Sequence, residues 1–257
     1  MLGVLHGPAE LLPISSSAHV TLVPWLLGWR YGELDGEFRK TFEVALHAGG
    51  AVGLVLGLRR EIASGVRGLD RHLALALALA CVPAGVAGLL AEGPIEQRLG
   101  GPRSIAAGLA AGAGAMVLCD RAPQRRGALE AGLGDALWLG AAQATALIPG
   151  VSRSGATLAA ARARGFRRRD ARALSAAMAL PVITGAVSLK VRRLRRGGFD
   201  PSLRASLAIG SLGSAVSAFA TARLARSPAV LDGGLGAYAA YRLALAGAVL
   251  WRLRSTA

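Results

Sequence analysis

The sequence predicts an all-α integral membrane protein: a helical bundle of about six transmembrane helices plus two re-entrant helix-turn-helix hairpins. Three observations carry this expectation. Apolar residues make up 53% of the 257 and mean hydropathy is +0.45, more alanine, leucine and valine than a soluble core of this length would use. Those residues fall in long blocks, with the charges pushed between them. Two of the blocks are interrupted by proline and serine in a shared pattern, a pointer to an inverted repeat with its site where the halves meet. The 35 glycines suit close helix packing in lipid, where small residues let backbones approach.

The elements follow in order. Met1 to Leu27 is apolar but broken by Pro8, Glu10, Pro13 and the serines Ser15, Ser16 and Ser17, so it reads as helix, polar turn, helix. Irregular backbone at membrane depth is tolerated only where protein or a water-filled cavity covers it. Phe42 to Leu58, Leu73 to Leu90 and Ser104 to Cys119 are candidate spans. Several blocks fall short of the about 20 residues that cross a ~30 Å hydrocarbon core, which tilt or local thinning accommodates. Leu133 to Ala163 forms the second hairpin, broken by Pro149, Gly150, Ser152, Arg153 and Ser154. Arg172 to Leu189 is a span that Pro181 should kink, and Leu203 to Leu224 and Leu235 to Leu253 complete the set. Residues 1–257 thus make one membrane domain, with a first repeat over about 1–120 and a second over about 133–257. Allowing one inserted residue, both hairpins read apolar, proline, linker, Ser-X-Ser.

The net charge of +15 comes almost entirely from arginine, in clusters such as Arg59-Arg60, Arg167-Arg168-Arg169 and Arg192-Arg193. Arginines flanking apolar spans set topology and meet lipid headgroups; no nucleic-acid-binding module accompanies them, so nucleic acid is not an expected partner. The stretches 59–72, 119–132 and 162–172 could share the cytoplasmic side. The equally basic stretch from Lys190 to Arg204 should lie opposite at least one of them, so charge alone leaves the orientation open. Cys81 and Cys119 sit in apolar blocks without ligand spacing and read as small hydrophobes. The start lacks a basic region and soon meets Glu10 and Pro13, so no cleavable signal peptide is expected.

Ionisable residues at membrane depth cost several kcal/mol and are functional candidates by default. Arg153 stands between Ser152 and Ser154, after a Pro-Gly turn and before Gly155 and Thr157, where a helix should open. Backbone N–H groups at that start, the hydroxyls and a guanidinium fork would cradle an anion of the phosphate type. The alternative is an arginine snorkelling to the interface above capping serines. In the first hairpin, Glu10 and His19 accompany Ser15, Ser16 and Ser17, a set able to bind a metal or activate a nucleophile. The alternatives are a structural Glu10–Arg153 pair and a histidine bonded to a backbone carbonyl. Together the two hairpins point to phosphoryl chemistry.

Gly7-Pro8-Ala9-Glu10-Leu11-Leu12-Pro13-Ile14-Ser15-Ser16-Ser17-Ala18-His19 and Pro149-Gly150-Val151-Ser152-Arg153-Ser154-Gly155-Ala156-Thr157 closely resemble the two signatures of the undecaprenyl-diphosphate phosphatase (bacitracin-resistance) family. Thr41-Phe42-Glu43-Val44-Ala45-Leu46-His47 is similar to a third stretch of that family, and Gln143 falls where a glutamine often stands. The resemblance covers almost the whole chain in order. It implies a multi-pass protein of the bacterial plasma membrane, with its active site facing outward. That protein removes one phosphate from undecaprenyl diphosphate to recycle the lipid carrier for peptidoglycan synthesis. A polyprenyl-phosphate flippase is the alternative, since relatives have been proposed to carry the lipid back across the membrane. Catalytic roles are implied for Glu10, Ser16, His19 and Arg153, and diphosphate binding for Ser15, Ser17, Ser152, Ser154, Gly155 and Thr157. The attacking group is Ser16 activated by His19, or a water activated by Glu10. A divalent cation, Mg²⁺ or Ca²⁺, is implied at Glu10 and His6. The expected partners are the lipid substrate and membrane lipids, and a homodimer is compatible with both. His6 departs from the pattern: the family normally has a glutamate there, four residues before Glu10, and histidine brings no negative charge to a hard cation.

Overall fold

The computed structural model describes residues 1–67, 71–197 and 203–255, and every regular element among them is helical. The first hairpin is α1 (Leu2–Leu11) and α2 (Ser16–Leu26); the second is α7 (Leu133–Ala144), a 3₁₀ turn (Thr145–Leu147) and α8 (Arg153–Ala163). Arms of 10 to 12 residues reach at 1.5 Å per residue only about half of a hydrocarbon core. Between and after the hairpins come α3 (Gly36–Gly57), α4 (Arg59–Arg67), α5 (Arg71–Leu99), α6 (Pro102–Asp120), α9 (Arg168–Gly197), α10 (Arg204–Leu224), the short α11 (Pro228–Leu231) and α12 (Gly236–Ser255).

Local chemistry sets the boundaries. The helix expected from Phe42 begins six residues earlier because Asp35 accepts from the amides of Glu37 and Phe38, at 2.8 and 3.1 Å. Pro102 opens α6, where its missing N–H costs nothing. The basic stretches between the apolar blocks are in part helical. Arg59–Arg67 is the helix α4, and α9 runs through Arg192 to Gly197. Arginine and lysine are good helix formers, and neither run contains a proline; Gly65 is carried inside α4. Residues 198–202 of the second stretch lie outside the described residues. Pro181 sits inside the continuous α9.

Four helices among the described residues are long and apolar enough to cross a membrane: over Ala74–Ala91, Pro102–Asp120, Arg168–Ser188 and Arg204–Leu224. The helices α3 and α12, 22 and 20 residues long, are the other two spans the sequence suggests and carry more charge. Leu90, Ile209, Leu212 and Trp251 point outward, as side chains against lipid do.

The bundle interlocks across its length. The first arm α1 and the helix α3 pack on α10, α7 packs on α5, and α6 packs on α12. Small residues make the close approach possible. A Cβ added at Gly49 or Gly53 of α3 would collide with the carbonyl oxygens of Ser211 and Ala215 on α10. Backbone atoms cannot yield as side-chain ends do. Gly53→Leu is therefore expected to lower the unfolding temperature in detergent, by an overpacking cost of about 3 kcal/mol or more. An unchanged melting curve would show that α3 and α10 separate freely.

One end of the bundle is a lattice of arginines and acids. Asp120 takes Arg162 at 3.1 Å and Arg168 at 2.9 Å, while Asp135 takes Arg126 at 2.7 Å and Arg164 at 2.8 Å. Burial raises the Asp135 carboxyl, but the bonds from Arg126, the Gly132 amide and Arg164 outweigh it and hold the group well below the usual carboxylate range.

Candidate functional site

The turn residues of the two hairpins share one backbone conformation. Ser15 (φ 76°) and Ser152 (φ 71°) are the two non-glycine residues with positive φ among the described residues, and each stands immediately before its second helix. Such a conformation costs on the order of 1–3 kcal/mol and persists only where surroundings enforce it. A hydroxyl pair closes each turn: Ser15 with Ser17 and Ser152 with Ser154, both Oγ–Oγ distances 3.3 Å. The extra residue of the second turn is Gly150, at φ +96°.

The two turns are tied to each other. Ser154 donates to the Leu12 carbonyl at 3.1 Å, and an Arg153 Nη2 hydrogen reaches toward the Glu10 carbonyl at 3.5 Å. Arg242, fully buried in α12, lies behind both. Its guanidinium donates to the carbonyls of Pro13 (3.1 Å) in one turn and of Gly150 (2.8 Å) and Val151 (2.9 Å) in the other. It also reaches Leu109 (3.2 Å) and Gly108 (3.3 Å) on α6. One side chain thereby joins both hairpins to the bundle.

In front of the turns lies a cavity of about 570 Å³ between the hairpins, α3, α5 and α9. Of the residues singled out in the sequence, His6, Glu10, Ser15, Ser16, Ser17, Ser152, Arg153 and Ser154 line it. Arg153 does not snorkel away: its side chain is only 15% exposed and its Nη2 lies 3.7 Å from Glu10 Oε1. The first turns of α2 and α8 begin on this wall at Ser16 and Arg153, so both positive helix ends face one cavity. The rest of the wall is largely apolar, including Ala84, Leu89, Ile183 and Val187.

Three of the predicted residues stand behind the wall. His19 Nδ1 donates to the Ser15 carbonyl at 2.7 Å and its Nε2 accepts from the Tyr241 hydroxyl at 2.6 Å, so both ring nitrogens are engaged away from Ser16. Thr157 bonds Ser175 at 2.6 Å and the Arg153 carbonyl at 3.0 Å, bracing the start of α8. Gly155 leaves room for the clamp, since a Cβ there would come within 2.8 Å of Arg242 Nη1. Conversely, the cavity wall includes Glu43 and His47 of α3, one turn apart, and Gln143 of α7, whose amide is buried with both atoms unpartnered. The sequence marked Gln143 only through the family likeness, and assigned no role to Glu43, His47 or Arg242. Arg242 was open to the rule that singled out Arg153, for it interrupts the apolar run from Leu235 to Leu253.

Glu10 sits at the centre of the polar wall. Besides Arg153 it faces His47 Nδ1 at 3.3 Å and His6 Nε2 at 3.7 Å, both from Oε2. Two imidazoles and one carboxylate are a poor donor set for Mg²⁺ or Ca²⁺, which take oxygen ligands, and His6 supplies nitrogen where an oxygen would be needed.

Comparison with known proteins places these features in a group. Residues 1–248 match the family described as Bacitracin resistance protein BacA. The chain is 39% identical to an undecaprenyl-diphosphatase of Geobacter sulfurreducens, over 97% of this chain and 95% of the relative. It is 38% identical to one of Pelobacter propionicus (97% and 94% covered) and 36% identical to one of Rubrobacter xylanophilus (97% and 95%).

Proposed function

The chain belongs to the Bacitracin resistance protein BacA family, and we propose that it hydrolyses undecaprenyl diphosphate to undecaprenyl phosphate and inorganic phosphate. The observation that carries this is the convergence of Arg153, two helix N-termini and the paired Ser-X-Ser turns on one largely apolar cavity. Anion-binding groups at the turns meet an apolar wall able to hold the first isoprene units.

The residues divide the work. Arg153 lays its planar fork on the phosphate oxygens, and the amides opening α2 and α8 take the remainder. Glu10 fixes Arg153 in place. The Ser16 hydroxyl attacks the terminal phosphorus in line with the bridging oxygen; the bond from that phosphorus to the bridge breaks and polyprenyl monophosphate departs. Water then releases the phosphate from Ser16. The carboxylates on the wall, Glu10 and Glu43, are the groups able to take the attacking proton. His19 and Tyr241 hold the Ser15 turn from behind, which is the part their hydrogen bonds support.

Ser16→Ala is expected to reduce phosphate release from undecaprenyl diphosphate by at least about a thousandfold, as removal of a nucleophile does. Activity within about tenfold of the parent would assign the attack to water instead.

A further inference from the structure

We infer that His6, Glu10 and His47 form a three-ligand site for a zinc-class divalent ion rather than for Mg²⁺ or Ca²⁺. The inference rests on the cavity being the hydrolytic site only for its location, not for its chemistry.

The hydrogen bonding of His6 carries the argument. Ser214 has one proton, and it goes to the Leu46 carbonyl at 2.8 Å. Its oxygen therefore accepts from His6 Nδ1 at 2.9 Å, which makes Nδ1 the protonated nitrogen. His6 Nε2 is left as a bare lone pair, fully buried and without a hydrogen-bond partner, aimed at Glu10 Oε2, which is also buried and has His47 Nδ1 at 3.3 Å as its other neighbour. The 3.7 Å between them is too long for a hydrogen bond. A buried lone pair facing a carboxylate calls for a cation between them.

The third donor is His47 Nδ1, and one ligand atom from each residue lies within 4.8 Å of the others. Ligands about 2.1 Å from a tetrahedral ion stand about 3.4 Å apart, close to the 3.3 and 3.7 Å found at Glu10 Oε2. Two histidines and one carboxylate with an open fourth position are a familiar donor set for catalytic zinc and its neighbours, and imidazole favours them over hard cations. His47 is partly open on the cavity side, where a phosphate oxygen could complete the shell. The Nδ1–H bond of His6 to Ser214 is the outer contact that fixes a ligating imidazole.

The test uses the full chain in detergent, stripped with a chelator and titrated with Co²⁺ while its visible absorption is recorded. The expected result is a stoichiometric cobalt spectrum, displaced by equimolar Zn²⁺ and unaffected by a large excess of Mg²⁺ or Ca²⁺. His47→Gln and Ser214→Ala should weaken Co²⁺ binding by about 10- to 100-fold, the range for losing a ligand's support or more. His6→Glu should let Mg²⁺ compete. No cobalt spectrum, displacement by Mg²⁺ as readily as by Zn²⁺, or a folded His47→Gln variant of unchanged affinity would each overturn the assignment. Should the variants not fold, the competition on the parent protein decides alone. Because the readout is metal binding, a protein that hydrolyses the lipid without taking up Co²⁺ refutes this site and leaves the phosphatase standing.

Discussion

Arg153→Ala is expected to abolish phosphate release from undecaprenyl diphosphate, a loss of about 10³-fold or more, while the protein still elutes as a folded species in detergent. Among the described residues the guanidinium is the one arginine or lysine side chain on the wall between the two serine turns, and it is positioned from both hairpins. Charge that spreads over phosphoryl oxygens in the transition state is met there by preformed donors. Removing one such donor typically costs about 10²- to 10³-fold, and a fork removes two. Arg153→Lys separates binding from folding. Lysine keeps a positive charge beside buried Glu10, so the fold should survive, but a point charge cannot span two oxygens, so most activity should still be lost. Full activity in a folded Arg153→Ala protein would remove the anion cradle from the account.

The second large effect belongs to a residue that touches no substrate. Arg242→Met leaves the buried turn carbonyls of Pro13, Gly150 and Val151 without their side-chain donor, and takes a second donor from the Gly108 and Leu109 carbonyls within α6. Each buried carbonyl left unpaired costs about 1–3 kcal/mol, and the strained φ angles of Ser15 and Ser152 lose the brace that enforces them. The expected result is a lowered unfolding temperature together with a fall in turnover measured well below it, where the protein is still folded. Arg242→Lys, which brings one ammonium to carbonyls spread over two turns and α6, should rescue little of either. A variant that melts early but turns over normally when folded would mean that the turns hold their shape unaided.

Much of this arrangement is legible in the chain because membrane depth makes polar residues conspicuous. Glu10, Arg153 and the serine triplets interrupt otherwise apolar runs, and the structure brings them to one cavity. Spacing could not say which side of a helix faces that cavity. His19 and Thr157 follow the turns by a helical turn or so and point back into the bundle, where they bond Tyr241 and Ser175. Glu43 and His47 lie on α3, distant in sequence from both hairpins, and reach the wall only through the packing of α3 on α10 and α9. The helical courses of Arg59–Arg67 and of the end of α9 were hidden by their charge, which marks a solvated surface without marking its secondary structure.

The interlocked packing also dictates the order in which the protein becomes functional during synthesis. Residues near the start are completed by residues near the end: His6 by Ser214, Gly3 by Ser217, Pro13 by Arg242. A ribosome that has made both hairpins has still not made the helices that hold the first one. Until α10 and α12 emerge, the Ser15 turn lacks its clamp, and its polar groups must be sheltered by the insertion machinery or by water at the membrane surface. Chains that stop before α12 should therefore be wholly inactive, and activity should appear late and all at once, as the last 20-residue helix slides in behind both turns.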